Sequence, residues 1–351
     1  VISVRDDLAA LEGYHSPQVT VDVRLNTNES PYPPPPAWRA AFLEELGATA
    51  FHRYPDREAR ALREAIGAFH DVAPDQVLVG NGSNEVIQAL CLAYGGPGRS
   101  AAVFEPTYAL HSHIARITGC PVAVGERRTD FRLDPAEVSR LLSAVRPAIT
   151  FLCSPNNPTG RVDGPEVLEA ALAAGCGLVL VDEAYAQFAP TSALSVPSPD
   201  RPLVVTRTFS KTWSMAACRL GYLIGPPDVV AAAGRVMLPY HLDAATQIAG
   251  RLALRFTAEM EARVAALISE RERLARALSG LPVDTWPSAA NFLLFRPRGI
   301  DGPTAWKALL ERSVLVRDCS SWPRLDGCLR VTVGTPAEND AFLSALTEVL
   351  S

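Results

Sequence analysis

The sequence predicts an α/β fold with a mostly parallel sheet, followed by a smaller α+β unit, and three observations carry that prediction. From residue 51 to residue 238, short β-rich apolar runs alternate with longer amphipathic stretches, as happens when helices cover both faces of a parallel sheet. A charged, Ala/Leu/Arg-rich segment over 244–279 then reads as one long helix. Beyond it, apolar runs at 292–296, 314–317 and 329–333 and a last helix from Pro336 read as the small α+β unit.

The elements follow in order. Residues 1–36 form an arm that ends in Pro31-Tyr32-Pro33-Pro34-Pro35-Pro36, where fixed dihedrals and missing donors rule out helix and central strand. A helical pattern starts near Ala37 and opens a large α/β domain over 37–243. Its buried strands are expected at 76–80, 100–104, 148–153, 177–181 and 203–206. Residues 244–351 carry the long helix and the small domain.

Bulk composition sets limits. The chain has 351 residues and is 48% hydrophobic, enough for a large core divided between two domains. Its net charge of −5 comes from interspersed signs, without the basic stripe that nucleic acid or an anionic membrane calls for. A small anionic ligand therefore needs local donors. Seven cysteines without a C-x-x-C pair argue against a disulfide framework or a zinc site and read as small apolar fillers kept reduced. No other metal set is expected: His111 and His113, after Tyr108, and His241 have no spaced partners and read as packing or surface residues. Residues 1–12 lack the basic start and apolar stretch of a signal peptide, and no run approaches the roughly 20 apolar residues of a membrane span. The expected location is the cytoplasm.

Four short strings could carry chemistry. Val79-Gly80-Asn81-Gly82-Ser83-Asn84 joins a strand to a helix through a glycine turn, and the amides at such a helix start form an anion cup. Glycines at strand-to-helix turns also serve purely steric needs. Ser154-Pro155-Asn156-Asn157-Pro158-Thr159-Gly160 exposes Asn157 at the carboxyl end of a buried strand, where ligands bind open parallel sheets, although a plain turn explains the string equally. Asp182-Glu183-Ala184-Tyr185 ends another strand, with a magnesium carboxylate or a helix cap as the alternatives. Thr208-Phe209-Ser210-Lys211 ends a further one, with Arg219 eight positions beyond. A lysine at such a sheet mouth can have a depressed pKa and act as nucleophile and base, whereas a lone lysine elsewhere is a solvated surface residue.

Taken together and in this order, the four strings resemble the fold-type-I, pyridoxal-5′-phosphate (PLP) dependent aminotransferases of class I and II, over almost the whole chain. Further strings resemble the histidinol-phosphate aminotransferase family within that group: Leu25-Asn26-Thr27-Asn28-Glu29-Ser30-Pro31, Arg53-Tyr54-Pro55-Asp56, Asn291-Phe292, and Val316-Arg317-Asp318 followed by the stretch from Gly327 through Arg330 to Thr335.

The resemblance implies residue roles. Lys211 holds PLP covalently and shuttles the proton, while Asp182 pairs with the ring nitrogen. Asn157 and Tyr185 bond the ring's phenolic oxygen, and Tyr108 stacks on the ring. Ser83, Asn84, Thr208, Ser210 and Arg219 hold the phosphate, and Tyr54 reaches it from a second subunit, which implies a homodimer. Arg330 takes the anionic end of the substrate through its planar fork of donors, with Arg317, Tyr14 and Asn26 as accessory contacts.

The implied reaction is transamination between L-histidinol phosphate and 2-oxoglutarate in histidine biosynthesis. An aromatic amino-acid aminotransferase or a PLP-dependent decarboxylase of a phosphorylated amino acid is the alternative. A PLP-binding regulator would need a DNA-binding module and a basic patch, which are missing here. Three features depart from the family pattern: the glycine often found just before Leu-Arg is absent, Asn84 stands where aspartate is frequent, and Pro239-Tyr240-His241-Leu242-Asp243 replaces a more usual Pro-Tyr-Asn-x-Asn.

Overall fold

The computed structural model describes residues 2–9, 11, 13, 17–195 and 201–351. Among them the strands, in chain order, are β1 (Val23–Arg24), β2 (Val77–Asn81), β3 (Ala101–Glu105), β4 (Val122–Glu126), β5 (Ile149–Cys153), β6 (Leu178–Asp182), β7 (Leu203–Thr208), β8 (Leu220–Ile224), β9 (Val283–Thr285), β10 (Phe292–Pro297), β11 (Val314–Leu315), β12 (Arg317–Asp318) and β13 (Leu329–Thr332).

Seven of these form one sheet in the order β2-β8-β7-β6-β5-β3-β4. Only β8 runs against its neighbours in that sheet; the β3/β4, β3/β5, β5/β6 and β6/β7 pairs are parallel. Alternation along the strands feeds two cores. In β6, Leu178 and Leu180 join a cluster under the helices Ser83–Tyr94, Ala109–Ile117 and Pro227–Val236, while Val179 and Val181 join one under Pro135–Val145 and Pro165–Ala173. Burial on both faces explains why these strands read as continuous apolar runs, and each buried Val or Leu contributes about 1.5–3 kcal/mol.

A second sheet, ordered β12-β13-β10-β9, is antiparallel and packs with the helices Gly302–Glu311 and Pro336–Val349 around Phe295, Leu309, Val331 and Phe342. The arm is tied to this unit, because β1 pairs in parallel with β11.

Three local expectations need correction. The 244–279 segment is two helices, Ala244–Ala253 and Thr257–Ser279, joined by a 3-10 turn at Leu254–Phe256. Phe256 leaves the helical region at φ −113° and ψ 39°, and the Thr257 hydroxyl donates to the Leu254 carbonyl at 3.0 Å, which fixes the break. Pro36, assigned to the rigid bend, is the first residue of the helix Pro36–Gly47, where a missing N–H costs nothing. The apolar run at 314–317 is divided between β11 and β12, which belong to different sheets.

Candidate active site

The reversed direction of β8 decides what gathers at one edge of the large sheet. The carboxyl ends of β2, β3, β5, β6 and β7 lie at the same edge as the start of β8, so Ser83, Tyr108, Asn157, Asp182, Lys211 and Arg219 converge there although they come from five separate parts of the chain. A cavity of about 370 Å³ opens at that edge, a size typical of small-molecule sites. Asn26, Asn84, Tyr185, Thr208, Ser210 and Arg330 complete the set of expected residues that line it.

Two glycines shape the end of the cavity at the N-terminus of the helix Ser83–Tyr94. Gly82, at φ +80°, caps the helix Ser83–Tyr94, and a Cβ there would lie 2.5 Å from an Arg219 guanidinium nitrogen. Across the strand, a Cβ on Gly221 would lie 2.1 Å from the Ser83 amide nitrogen. Only glycine at both positions lets β8 and Arg219 approach the helix N-terminus, whose free amides favour an anion. The Thr208 and Ser210 hydroxyls, 3.0 Å apart, stand beside it.

The 154–160 loop is held from within by Asn156. Its amide donates to Pro106 O at 3.0 Å and to Thr159 Oγ1 at 2.8 Å, and its oxygen accepts from Thr107 Oγ1 at 2.8 Å. One buried side chain thereby locks this loop to the one carrying Tyr108, whose hydroxyl lies 3.4 Å from Asn84 Oδ1. Asn157 can then accept from the Arg330 guanidinium.

Lys211 projects into the cavity and donates from Nζ to Thr27 O at 3.0 Å. Burial, helped by the nearby Arg330 charge, brings its pKa down from 10.5 to about 8. A minor fraction of the amine, roughly a tenth at pH 7, is therefore neutral, against almost none for an ordinary lysine. Tyr185, behind it, is pushed up by burial and keeps its hydroxyl proton. Arg330, also buried, donates to Asn26 O at 2.8 Å, and its guanidinium carbon lies 5.2 Å from the Phe292 ring.

Asp182 has a partner that the sequence did not reveal. His111 Nε2 donates to Asp182 Oδ2 at 3.0 Å, and the imidazole stacks on Phe151 with ring centroids 4.9 Å apart. The residue read as packing or surface thus orients a carboxylate of the site. Asn28 was also missed: it donates to the Tyr185 hydroxyl at 2.9 Å. No spacing pattern signals either contact, since the partners lie 71 and 157 residues apart.

Some expected residues stand apart. Arg317 does not line the cavity; it pairs in register with Arg330 across β12 and β13, its guanidinium carbon 5.2 Å from the Trp322 ring. Tyr54 is 79% exposed and stacks on Tyr240, with centroids 4.4 Å apart. Tyr14 lies outside the described residues.

Residues 20–346 match the family model for aminotransferase class I and II. The chain belongs to that family. Among its relatives, the histidinol-phosphate aminotransferase of Frankia casuarinae is 45% identical, over 100% of this chain and 91% of that protein. The histidinol-phosphate aminotransferase of Rhodococcus jostii is 43% identical, over 99% of this chain and 93% of that one. A crystal structure of histidinol-phosphate aminotransferase from Sinorhizobium meliloti, in complex with pyridoxal-5′-phosphate, superposes with a TM-score of 0.84 at 23% identity, covering 94% of this chain and 91% of that one. The last likeness establishes the shared fold. In this aminotransferase fold the expected fold-type-I architecture, a large mostly parallel sheet followed by a smaller α+β unit, is the one observed.

Proposed function

We propose that this protein transfers the amino group of L-histidinol phosphate to 2-oxoglutarate, giving imidazole acetol phosphate and L-glutamate, and that it uses PLP for the purpose. The observation that carries the reading is the buried Arg330 guanidinium sharing one cavity with the Lys211 amine, in a chain 45% identical to a named histidinol-phosphate aminotransferase.

The donor set fits PLP. The Ser83 and Asn84 amides, the Thr208 and Ser210 hydroxyls and Arg219 suit a phosphate, and the space beside Gly82 that a Cβ would fill admits the arginine. Tyr108 suits the ring face, and Tyr185 and the amide of Asn157 suit a ring oxygen. When bound, PLP supplies a carbonyl carbon for the amine and a ring that accepts electrons from the substrate α-carbon.

The protein's own groups do the rest. Lys211 Nζ, with a pKa of about 8, serves as the amine that holds the cofactor and as the base that takes the α-proton and returns it. Asp182, oriented by His111, holds the proton of the ring nitrogen. Arg330 binds the substrate's anionic end, a phosphate or a carboxylate in the two half-reactions, through a fork that suits both. Asn26 lines the cavity, and its buried Oδ1, which has no partner among the described residues, is the acceptor assigned to the substrate in this reading. Arg317 supports Arg330 from the neighbouring strand, and Tyr14 belongs to the same proposal.

The enzyme is further read as a homodimer, with Tyr54 reaching the phosphate of the second subunit. Tyr54, Tyr240 and Leu238 form an exposed apolar patch at the rim of the large unit, and a second copy of the chain is the occupant proposed for it. The division into an arm at 1–36, a PLP domain at 37–243 and a C-terminal portion at 244–351 is part of the same reading. So is a cytoplasmic place in histidine biosynthesis; no helix among the described residues is long and apolar enough to cross a membrane.

Activity assays test the reaction. The purified enzyme is expected to convert histidinol phosphate with 2-oxoglutarate faster than phenylalanine with 2-oxoglutarate. Equal rates would overturn the phosphate-specific reading, and carbon dioxide release without keto-acid formation would replace transamination with decarboxylation.

A further inference from the structure

We propose that Asn28 is a positioning residue which sets the direction of the Tyr185 hydroxyl proton, turning it into the cavity toward the ring oxygen of the bound cofactor. This rests on the PLP reading above and extends it to a residue of the arm.

Asn28 is 1% exposed and has a φ of 55°, the left-handed region that asparagine tolerates better than most residues. Its backbone N–H donates to Thr332 Oγ1 at 3.0 Å. That threonine oxygen is therefore an acceptor on this side, and its own proton goes to Asn28 Oδ1, also at 3.0 Å. With Oδ1 held there, the amide cannot flip, and Nδ2 is the atom that faces the Tyr185 hydroxyl at 2.9 Å. An amide nitrogen only donates, so the Tyr185 oxygen accepts.

The phenolic proton must then point elsewhere, and the open side of the hydroxyl is the cavity that Tyr185 lines. The Asn28 carbonyl is pinned in turn by Asn291 Nδ2 at 3.1 Å, next to β10. Every polar group of Asn28 is thus engaged, by Thr332 of β13, Asn291 just before β10 and Tyr185 beyond β6. A wrong rotation of the amide would leave buried donors and acceptors unpaired. The arrangement is a proton-direction lock built from Thr332, Asn28 and Tyr185.

The test uses PLP-loaded enzyme and reads the pH midpoint of the change in the bound cofactor's visible absorption, together with kcat and KM. A hydroxyl donated to the ring oxygen stabilises negative charge there and holds the midpoint low. Tyr185→Phe, which removes the donor, is expected to raise it by about one pH unit, the scale of a single hydrogen bond to a charged group. Asn28→Asp keeps the shape and the tolerated φ but offers only acceptors, so Tyr185 turns its proton away from the cavity. Its midpoint is expected to rise by a similar amount, with kcat down roughly tenfold and KM changed less. Thr332→Val, which frees the amide to rotate, should shift the midpoint the same way by a smaller amount.

An unchanged midpoint in Asn28→Asp, with Tyr185→Phe shifted, overturns the proposal, and if Asn28→Asp does not fold, Thr332→Val decides by the same criterion. An unchanged midpoint in Tyr185→Phe overturns the placement of the ring oxygen at Tyr185 and takes the proposal down with it.

Discussion

His111 Nε2 and Asp182 Oδ2 lie 3.0 Å apart, with both side chains sealed from solvent. The imidazole and the Ala184 amide hold the two carboxylate oxygens in one orientation. Replacing His111 by Phe keeps the stacking on Phe151 and removes the hydrogen bond. The expected outcome is a fall in kcat/KM of roughly 10- to 100-fold, the scale of one hydrogen bond to a charged group. Steady-state kinetics beside a thermal melt would show the activity loss to exceed any loss of fold.

Lys211 ties stability to pH. In the cofactor-free protein its pKa is lowered by burial from 10.5 to about 8. Below the lower value, folded and unfolded chains both carry the proton, and the folded state bears the full cost of burying the charge. Between the two values only the unfolded chain still binds it, so stability rises with pH across that window. Lys211→Met is therefore expected to be more stable than the parent at pH 7, with the gap closing as pH rises from about 8 toward 10.5. Denaturant titrations of both apoproteins across this range measure it.

Arg330→Lys keeps the charge and loses the fork. The ammonium cannot reproduce the paired donation to Asn26 O and Asn157 Oδ1 while also binding an anionic substrate. We expect kcat/KM for the phosphorylated amino donor to fall by about 10- to 100-fold, mostly through KM. A progress-curve assay over a range of donor concentrations separates the two constants.

Arg127 and Asp163 form a buried pair with two contacts of 2.7 Å, tying the strand end after β4 to the loop beyond Gly160. Arg127→Met leaves Asp163 charged and alone, and is expected to cost about 3–5 kcal/mol in urea unfolding. The double variant Arg127→Met, Asp163→Leu should recover most of that loss. Failure to recover would show that the cost lies in packing.

The strands of the sheet centre were legible because burial on both faces writes them as unbroken apolar runs, as Leu178 to Val181 and Leu203 to Val205 show. The edge strand β4 was not, since Val122 and Val124 stay partly exposed and make no such run. Nor was β8, whose Gly221-Tyr222 reads as part of the string following Lys211. Cavity-lining residues were readable where they end a strand or lie just beyond one, as Asp182 and Lys211 do. His111 and Asn28 were not, because their roles arise from contacts across folded space and, for Asn28, from a backbone angle that no composition signals. The break at Leu254–Phe256 likewise interrupts a sequence of good helix formers without glycine or proline to mark it.

Asn28 and Thr332 are 304 residues apart, and the arm strand β1 finds its partner only at Val314. On a ribosome, where the amino-terminal end emerges first, the arm must wait through the synthesis of nearly the whole chain before it has anything to grip. Truncated or stalled products therefore carry the lysine without its enclosure. The order of synthesis therefore delays the enclosure of a reactive amine until β13 has been made.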